Sequence, residues 1–291
     1  MKTSIVIPNW KGRKLLEKNL PAVLATNPEE VIIVDDASPD DSNAFLEKNY
    51  PQVKLIKHQK NRGFAAGCNS GVKAAKGEIV VLLNLDVVPE KEALEKILPN
   101  FNDERVFAVS FNETSSPNFS WTKGKFERGF IVHENQNKDN CLHRSFWVNG
   151  GSGAFRKKMW EKLGGFDELF NPFYWEDIDL CYRAQKRGWK ILWEPRAKVL
   201  HKHEGVIGKN FPKEYVDFIW ERNQLIFIWK NLTNHFLFLK HFGGLVYRLR
   251  HPGYLKIILA AVSRLLWIIP KRIKEKRETV VSDEVILSLN D

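Results

Sequence analysis

VIIVDD, residues 31–36, decides the fold, and VVLLNLD, residues 80–86, repeats its logic. Each is an apolar run of strand length that ends on carboxylates, Asp35 and Asp36 in the first and Asp86 in the second. Uninterrupted apolar runs suit strands buried on both faces of a parallel sheet, and in an open α/β sheet ligands bind beyond the carboxyl ends of such strands. The acidic residues of both runs are therefore expected in one ligand-binding crevice. A third acidic cluster, Glu176-Asp177 in FYWEDIDLCYRA, supplies the base that a reaction there would need.

Outward from these runs the elements alternate. A strand at 3–8 leads to a helix from about Arg13 to Thr26, and strand 31–35 leads to a helix after Ser38-Pro39-Asp40. Strand 53–57 precedes NRGFAAGCNSGVKAAKG, whose small residues suit a helix start where backbone approaches a ligand. Strand 78–84, a helix around 90–98 and a strand at 106–111 complete an open α/β half. Residues 112–144 show no clear period and are expected to form a loop-rich excursion. A second half, Phe146 to about Leu232, carries a helix from Glu176 to Arg187, a stop at Gly188, and strand-like ILW and AKVLH.

The chain has 291 residues, 43% of them apolar, enough for a full core. Three widely spaced cysteines, Cys68, Cys141 and Cys181, argue against a disulfide framework and for a reducing compartment. The N-terminus enters a strand without a signal peptide, so the expected location is cytoplasmic. The net charge of +10 is not spread as nucleic-acid binding would require: ten Lys/Arg and one acidic residue, Glu275, put +9 between His235 and Arg277. They are interleaved with FLFL (236–239) and YLKIILAAVSRLLWII (254–269), a run too short and too charged to span a bilayer. Read as one helix, it puts Lys256, Arg264 and Lys271 on one arc, as in a helix lying on an anionic membrane surface. The competing reading is a packed C-terminal helix with a solvated basic face. The expected division is 1–234 as the catalytic domain and 235–291 as a helical membrane-associating segment, which makes the protein peripheral on the inner face of the cell membrane.

VIPNW, VIIVDDAS, NRGFAAGCNSG, LLNLD, VNGGSGAF, GGFDELF, WEDIDLCYRAQKRGW, VLHKH and ERNQLIF, in this order, resemble the inverting GT-A glycosyltransferases of family 2, with most similarity to the bacterial rhamnosyltransferase-like branch. The match runs over roughly residues 3–232, and its specificity lies in the ordered set rather than in any one motif. The resemblance implies an α/β GT-A fold, a nucleotide-diphosphate sugar donor such as dTDP-rhamnose or UDP-hexose, a glycan or lipid-linked acceptor in cell-surface glycan synthesis, and a divalent metal, Mn²⁺ or Mg²⁺.

By the same resemblance, Pro8, Asn9, Trp10, Asp35, Asp36, Arg62, Phe64 and Asn69 contact the nucleotide. Against this stand an Asx turn at Asp35 or Asp36, plain packing of Trp10, and small-residue helix packing around Ala65, Ala66 and Gly67. Asn84-Leu85-Asp86 occupies the place of the family's Asp-x-Asp metal motif and departs from it, leaving one firm carboxylate. His201 resembles a histidine that completes the coordination, with His203 as the alternative; a nitrogen ligand fits Mn²⁺ more readily than Mg²⁺. Gly150, Gly151 and Ser152 would floor the donor sugar. Asp177 would be the general base, Glu176 and Trp175 would face the acceptor, and Arg222-Asn223 would reach a phosphate or sit on a surface helix. The acidic residues also favour a helix N-terminus through its dipole. From another class, a non-catalytic nucleotide-sugar or glycan-binding protein would keep Asp36 and Asn69 without needing Glu176, Asp177 and His201 together.

Overall fold

The computed structural model describes residues 1–115, 120–202, 208 and 210–288. Its main sheet has the strand order β3-β2-β1-β4-β10-β6-β11-β5, with β9 also paired to β11. β1 (Thr3–Asn9), β2 (Glu30–Asp35), β3 (Lys54–Lys57) and β4 (Ile79–Leu83) are mutually parallel. β10 (Ser152–Arg156) then runs antiparallel between β4 and β6 (Val106–Glu113). β11 (Lys190–His201) lies parallel to β6 and antiparallel to the short β5 (Val87–Pro89) and to β9 (His143–Arg144).

The apolar runs are buried on both faces, as the sequence required. Ile5, Ile7, Val31, Ile33 and Val81 join one core cluster, while Val6, Ile32, Val34, Val80 and Leu82 join the cluster on the other side. Helices α1 (Arg13–Ala25), α2 (Ser42–Asn49) and α4 (Ala93–Ile97) cover the first face. α3 (Phe64–Ala74), α5 (Lys157–Leu163) and α6 (Glu176–Lys186) cover the second. Gly71 shows why α3 is rich in small residues: a Cβ there would lie 2.2 Å from a methyl of Val6.

Elements also differ from the sequence expectation. The excursion at 112–144 contains a hairpin, β7 (Thr122–Glu127) with β8 (Phe130–Asn135), whose Phe130 and Ile131 are buried against the C-terminal helices. Its alternation was hidden because the outer positions carry charge over only six residues per strand. ILW and AKVLH are one strand, interrupted by a register shift between Glu194 and Lys198 around Pro195, which cannot donate to the ladder.

The C-terminal part is α7 (Lys213–Asn231), α8 (His235–Arg248), α9 (Tyr254–Val262), α10 (Leu265–Glu278) and α11 (Asp283–Ser288). The run 254–269 is thus two helices rather than one, broken at Ser263-Arg264. Packing is continuous across Asn234: Leu245, Tyr254, Ala261, Ile268 and Ile286 share a core with Trp175, Ile178 and Tyr182. Buried charges follow the same line. Lys186 pairs with Asp283 at 2.8 Å, both wholly buried, and Asp283 also accepts from the Tyr182 hydroxyl at 2.7 Å. Arg187 pairs with Glu275 and Glu278, and Lys271 with Asp167 at 2.7 Å. Among the described residues no helix is long and apolar enough to cross a membrane.

Removing one member of a buried ion pair leaves the other charge uncompensated. Asp283→Ala is therefore expected to lower the stability of the whole chain by about 3–5 kcal/mol, read from urea unfolding. A loss below about 1 kcal/mol would mean that the Lys186–Asp283 pair does not tie the C-terminal helices to α6.

Candidate active site

The crevice forms where the chain leaves β1, β2 and β4, and the segment Asn149-Gly150-Gly151-Ser152, whose last residue begins β10, crosses it. The loop bonds to three parts of the site. Its Gly151 carbonyl accepts the Asn84 N–H at 2.8 Å, and a Cβ on Gly151 would fall 2.1 Å from the Asn84 amide nitrogen. The Gly150 N–H donates to Asp177 Oδ2 at 3.1 Å. Asn149 and Ser152 donate to Glu113 Oε1 at 3.0 and 2.6 Å. The turn bearing Asp86, the end of β6 and the start of α6 are therefore held on one short loop.

Asp86 and His201 meet because β5, which begins one residue after Asp86, pairs Val87 with His201. Asp86 Oδ1 lies 3.3 Å from His201 Nε2, and Glu113 Oε2 lies 3.1 Å from His201 Nδ1. All three side chains are buried. Burial disfavours a charged imidazole, yet the Asp86 and Glu113 carboxylates outweigh it and push His201 up to about 9. The chemistry of this donor set fits a first-row divalent ion: one carboxylate oxygen and one imidazole nitrogen face each other, and a second carboxylate lies on the far nitrogen. Among the described residues no group of three His, Cys, Asp or Glu forms a cage for a metal ion. His203 lies outside the described residues.

Asp177, in the first turn of α6, is half-buried and accepts from Gly150 N–H and, at 2.8 Å, from Ile178 N–H. Burial pushes it up to about 6 against those two donors. Glu176 is raised further, by burial and then by Asp177, and its Oε2 is buried without a hydrogen-bond partner. Asp179, the third acid, is spent inside on Arg183, Lys230 and Asn231. The segment before α6 is strained, with Tyr174 at φ +72° and Trp175 at φ +77°, a region that bulky side chains rarely enter. Asn223 holds it there: its amide donates to the carbonyls of Phe170, Phe173 and Tyr174 at 2.7–3.0 Å. Arg222 donates to the Asn171 carbonyl at 2.6 Å. Both are buried, so neither is a surface-helix position. Trp175, expected to face an acceptor, instead has its ring 1% exposed among Trp220 and Phe227, because the left-handed backbone turns it inward.

At the end of the crevice where the sequence led us to expect a nucleotide, Asn9 donates to Asp35 Oδ2 at 2.7 Å while Ser38 N–H and the Asn43 amide donate to Oδ1, so Asp35 makes the Asx turn. Asp36 accepts from the N–H groups of Arg62 and Gly63 and from His58, which sets the entry to α3. Asn69 exchanges two hydrogen bonds with the backbone of Phe166, so it has a packing role that small-residue helix contacts alone did not account for. Phe64 stacks on Phe166 at 6.0 Å and lies 3.4 Å from where a Gly150 Cβ would be. Pro8 and Trp10 are half-exposed at the end of β1, Leu85 is buried, and the Arg62 side chain reaches Glu168 at 3.3 Å on the surface. Glu113 ends an apolar strand, VFAVSFNE, as Asp35 and Asp86 follow theirs, and that strand-end carboxylate is the signal for it in the sequence.

With the sheet order and the crevice in place, comparison with known proteins decides the family: the sequence model of glycosyl transferase family 2 matches residues 4–164. The chain belongs to this family. It is similar to the pre-mycofactocin glycosyltransferase of Mycobacterium tuberculosis, 29% identical over 217 residues, which cover 69% of this chain and 42% of that protein. It is also similar to the O-antigen chain rhamnosyltransferase WbaN of Salmonella anatum, 25% identical over 195 residues, covering 65% of this chain and 61% of that one. The chain thus spans about two-fifths to three-fifths of the length of these relatives. Among solved structures, GalNAc-T7 with UDP, GalNAc and Mn²⁺ superposes with a TM-score of 0.66 at 16% identity, over 80% of this chain and 48% of that one. The fold is GT-A.

The Asn223 clamp predicts that Asn223→Ala, which leaves three carbonyls of the strained segment without their donor, costs about 1–3 kcal/mol in denaturant unfolding. Unchanged stability would mean that the segment holds its conformation without Asn223.

Proposed function

We propose that the protein is an inverting hexosyltransferase that moves a sugar from a nucleotide-diphosphate donor, dTDP-rhamnose or a UDP-hexose, to a lipid-linked or polysaccharide acceptor, with Asp177 as general base. The observation that carries this is the placement of Asp177: a half-buried carboxylate, raised to about 6, tied through the Gly150-Gly151 loop to the turn bearing Asp86. A base for a sugar hydroxyl must be ionised at neutral pH yet basic enough to take a proton, and a carboxylate near 6 meets both demands. In the step, the acceptor oxygen bonds to the anomeric carbon as the bond to the diphosphate oxygen breaks. The electron pair leaves with the nucleotide, and the hydroxyl proton passes to Asp177. Attack opposite the leaving group inverts the anomeric centre.

Glu176 is assigned to the acceptor, because its buried, unpartnered Oε2 is a ready acceptor for a sugar hydroxyl. Pro8, Asn9, Trp10 and the Asp35–Asp36 turn would frame the nucleotide, and Gly151 the donor sugar. Asp86 and His201 would hold a divalent metal, which when bound neutralises charge on the leaving diphosphate. The WbaN likeness supports a deoxyhexose donor, and GalNAc-T7, which shares the fold, was solved with UDP and Mn²⁺.

A membrane-surface location is supported by the C-terminal helices. Phe236, Leu239, Phe242 and Val246 recur along α8 and are 52–66% exposed, and Leu266 and Trp267 on α10 are 80% and 55% exposed. With the +9 balance of this segment, such a face suits anionic lipid.

Asp177→Asn is expected to bind donor nucleotide normally and to lose transfer by at least about a hundredfold; turnover like wild type would remove Asp177 from the role. Because the carboxylate is the working form, kcat/KM should fall about tenfold per pH unit below about 6 and level off above it. A rate flat from pH 5 to 8 would count against a base of this kind. In liposome flotation the full chain should bind vesicles with anionic lipid and release in high salt, at about 1 kcal/mol per basic residue near the surface. Leu266→Glu with Trp267→Glu should abolish flotation without unfolding the protein. Equal flotation of this variant and wild type, or none by either, would remove the membrane placement.

A further inference from the structure

Glu113 is buried at the last residue of β6, and each of its carboxylate oxygens faces a different neighbour. Oε1 accepts from Ser152 Oγ at 2.6 Å and from Asn149 Nδ2 at 3.0 Å, which fixes the plane of the carboxylate from the crossing loop. Oε2 is thereby placed 3.1 Å from His201 Nδ1, at ion-pair distance though not aligned as a hydrogen bond. Backbone pairing sets the approach: Glu113 lies opposite Val199 in the β6–β11 ladder, two residues before His201. The other ring nitrogen, Nε2, lies 3.3 Å from Asp86 Oδ1.

An imidazole gives a lone pair to a metal only from the nitrogen that lacks the proton, and a carboxylate that takes the N–H of one nitrogen determines which that is. We propose that Glu113 is a positioning residue that holds the His201 proton on Nδ1, so that the Nε2 lone pair points to the Asp86 side, where a divalent cation bound to a nucleoside diphosphate would sit. This rests on the metal reading given above. Without Glu113 the ring can take either tautomer and can rotate, so part of the population offers the cation an N–H in place of a lone pair. The same carboxylate holds Asn149 and Ser152, so the Asp86–His201 end of the crevice and the loop whose Gly150 N–H bonds Asp177 share one anchor.

The test is Mn²⁺ affinity of the full chain in the presence of UDP, by titration calorimetry and by the Mn²⁺ electron paramagnetic resonance signal, for wild type, Glu113→Gln, Glu113→Ala and His201→Ala. Glu113→Ala should weaken Mn²⁺ binding by up to about a hundredfold, and Glu113→Gln, which keeps a neutral acceptor for the Nδ1 proton, by about tenfold. UDP affinity without metal should stay within twofold, which separates positioning from loss of fold. In the Mg²⁺–UDP complex, spectra of ¹⁵N-labelled histidine should show His201 protonated at Nδ1 in wild type and a mixture of tautomers in Glu113→Gln. If His201→Ala loses Mn²⁺ while both Glu113 variants keep it within twofold and the tautomer is unchanged, the inference is overturned and the metal reading stands. If His201→Ala binds Mn²⁺ like wild type, both fall.

Discussion

The crevice depends on the Asn149–Ser152 loop being able to lie against the end of β4. β10 runs antiparallel into a parallel half-sheet, so its preceding loop must cross the carboxyl ends of β4 and β6 where the crevice opens. That crossing is possible only because Gly151 has no side chain to meet Asn84. Three hydrogen-bonded contacts then follow from one short loop: to the Asp86 turn, to Glu113, and to Asp177. Groups from four elements come within reach of one another without a dedicated scaffold.

The second constraint is electrostatic. α6 begins with acids that face the crevice and continues with Asp179, Arg183, Lys186 and Arg187, which are buried or nearly so. Burial of so many charges is tolerable only because each has a partner, and the partners come largely from α7, α10 and α11. The C-terminal helices therefore close the charge balance of the helix that carries Glu176 and Asp177. Lys271, which the single-helix reading placed on a lipid-facing arc, pairs with the buried Asp167 while staying partly exposed, and leucines and a tryptophan of α9 and α10 point outward.

Strain sits next to chemistry in this molecule. Tyr174 and Trp175 occupy left-handed backbone immediately before the proposed base, and a single amide, Asn223, bonds three carbonyls of that segment. Trp175 is consumed as an anchor in an aromatic core. Under the proposed reading, the acceptor would then be met by Glu176 and by the half-exposed Tyr174 rather than by the indole.

Local pattern was enough for the parallel half. Apolar runs such as VIIV and VVLL report burial on both faces, and glycine-rich NRGFAAG reports close packing, because each property is written within a few consecutive residues. The ordered motifs carried the family, and the carboxylates that end strands marked the crevice. Pairing between distant segments was not legible. A three-residue strand, β5, brings Asp86 to His201, and no periodicity is detectable over three residues. Glu113 obeyed the strand-end rule but could be recognised only once β6 lay beside β11. Asn69, Arg222 and Asn223 are polar residues whose partners are backbone groups far along the chain. Sequence determines which residues must be buried; which buried polar atom meets which is decided by tertiary packing, since each such atom must find a partner wherever the fold has left one.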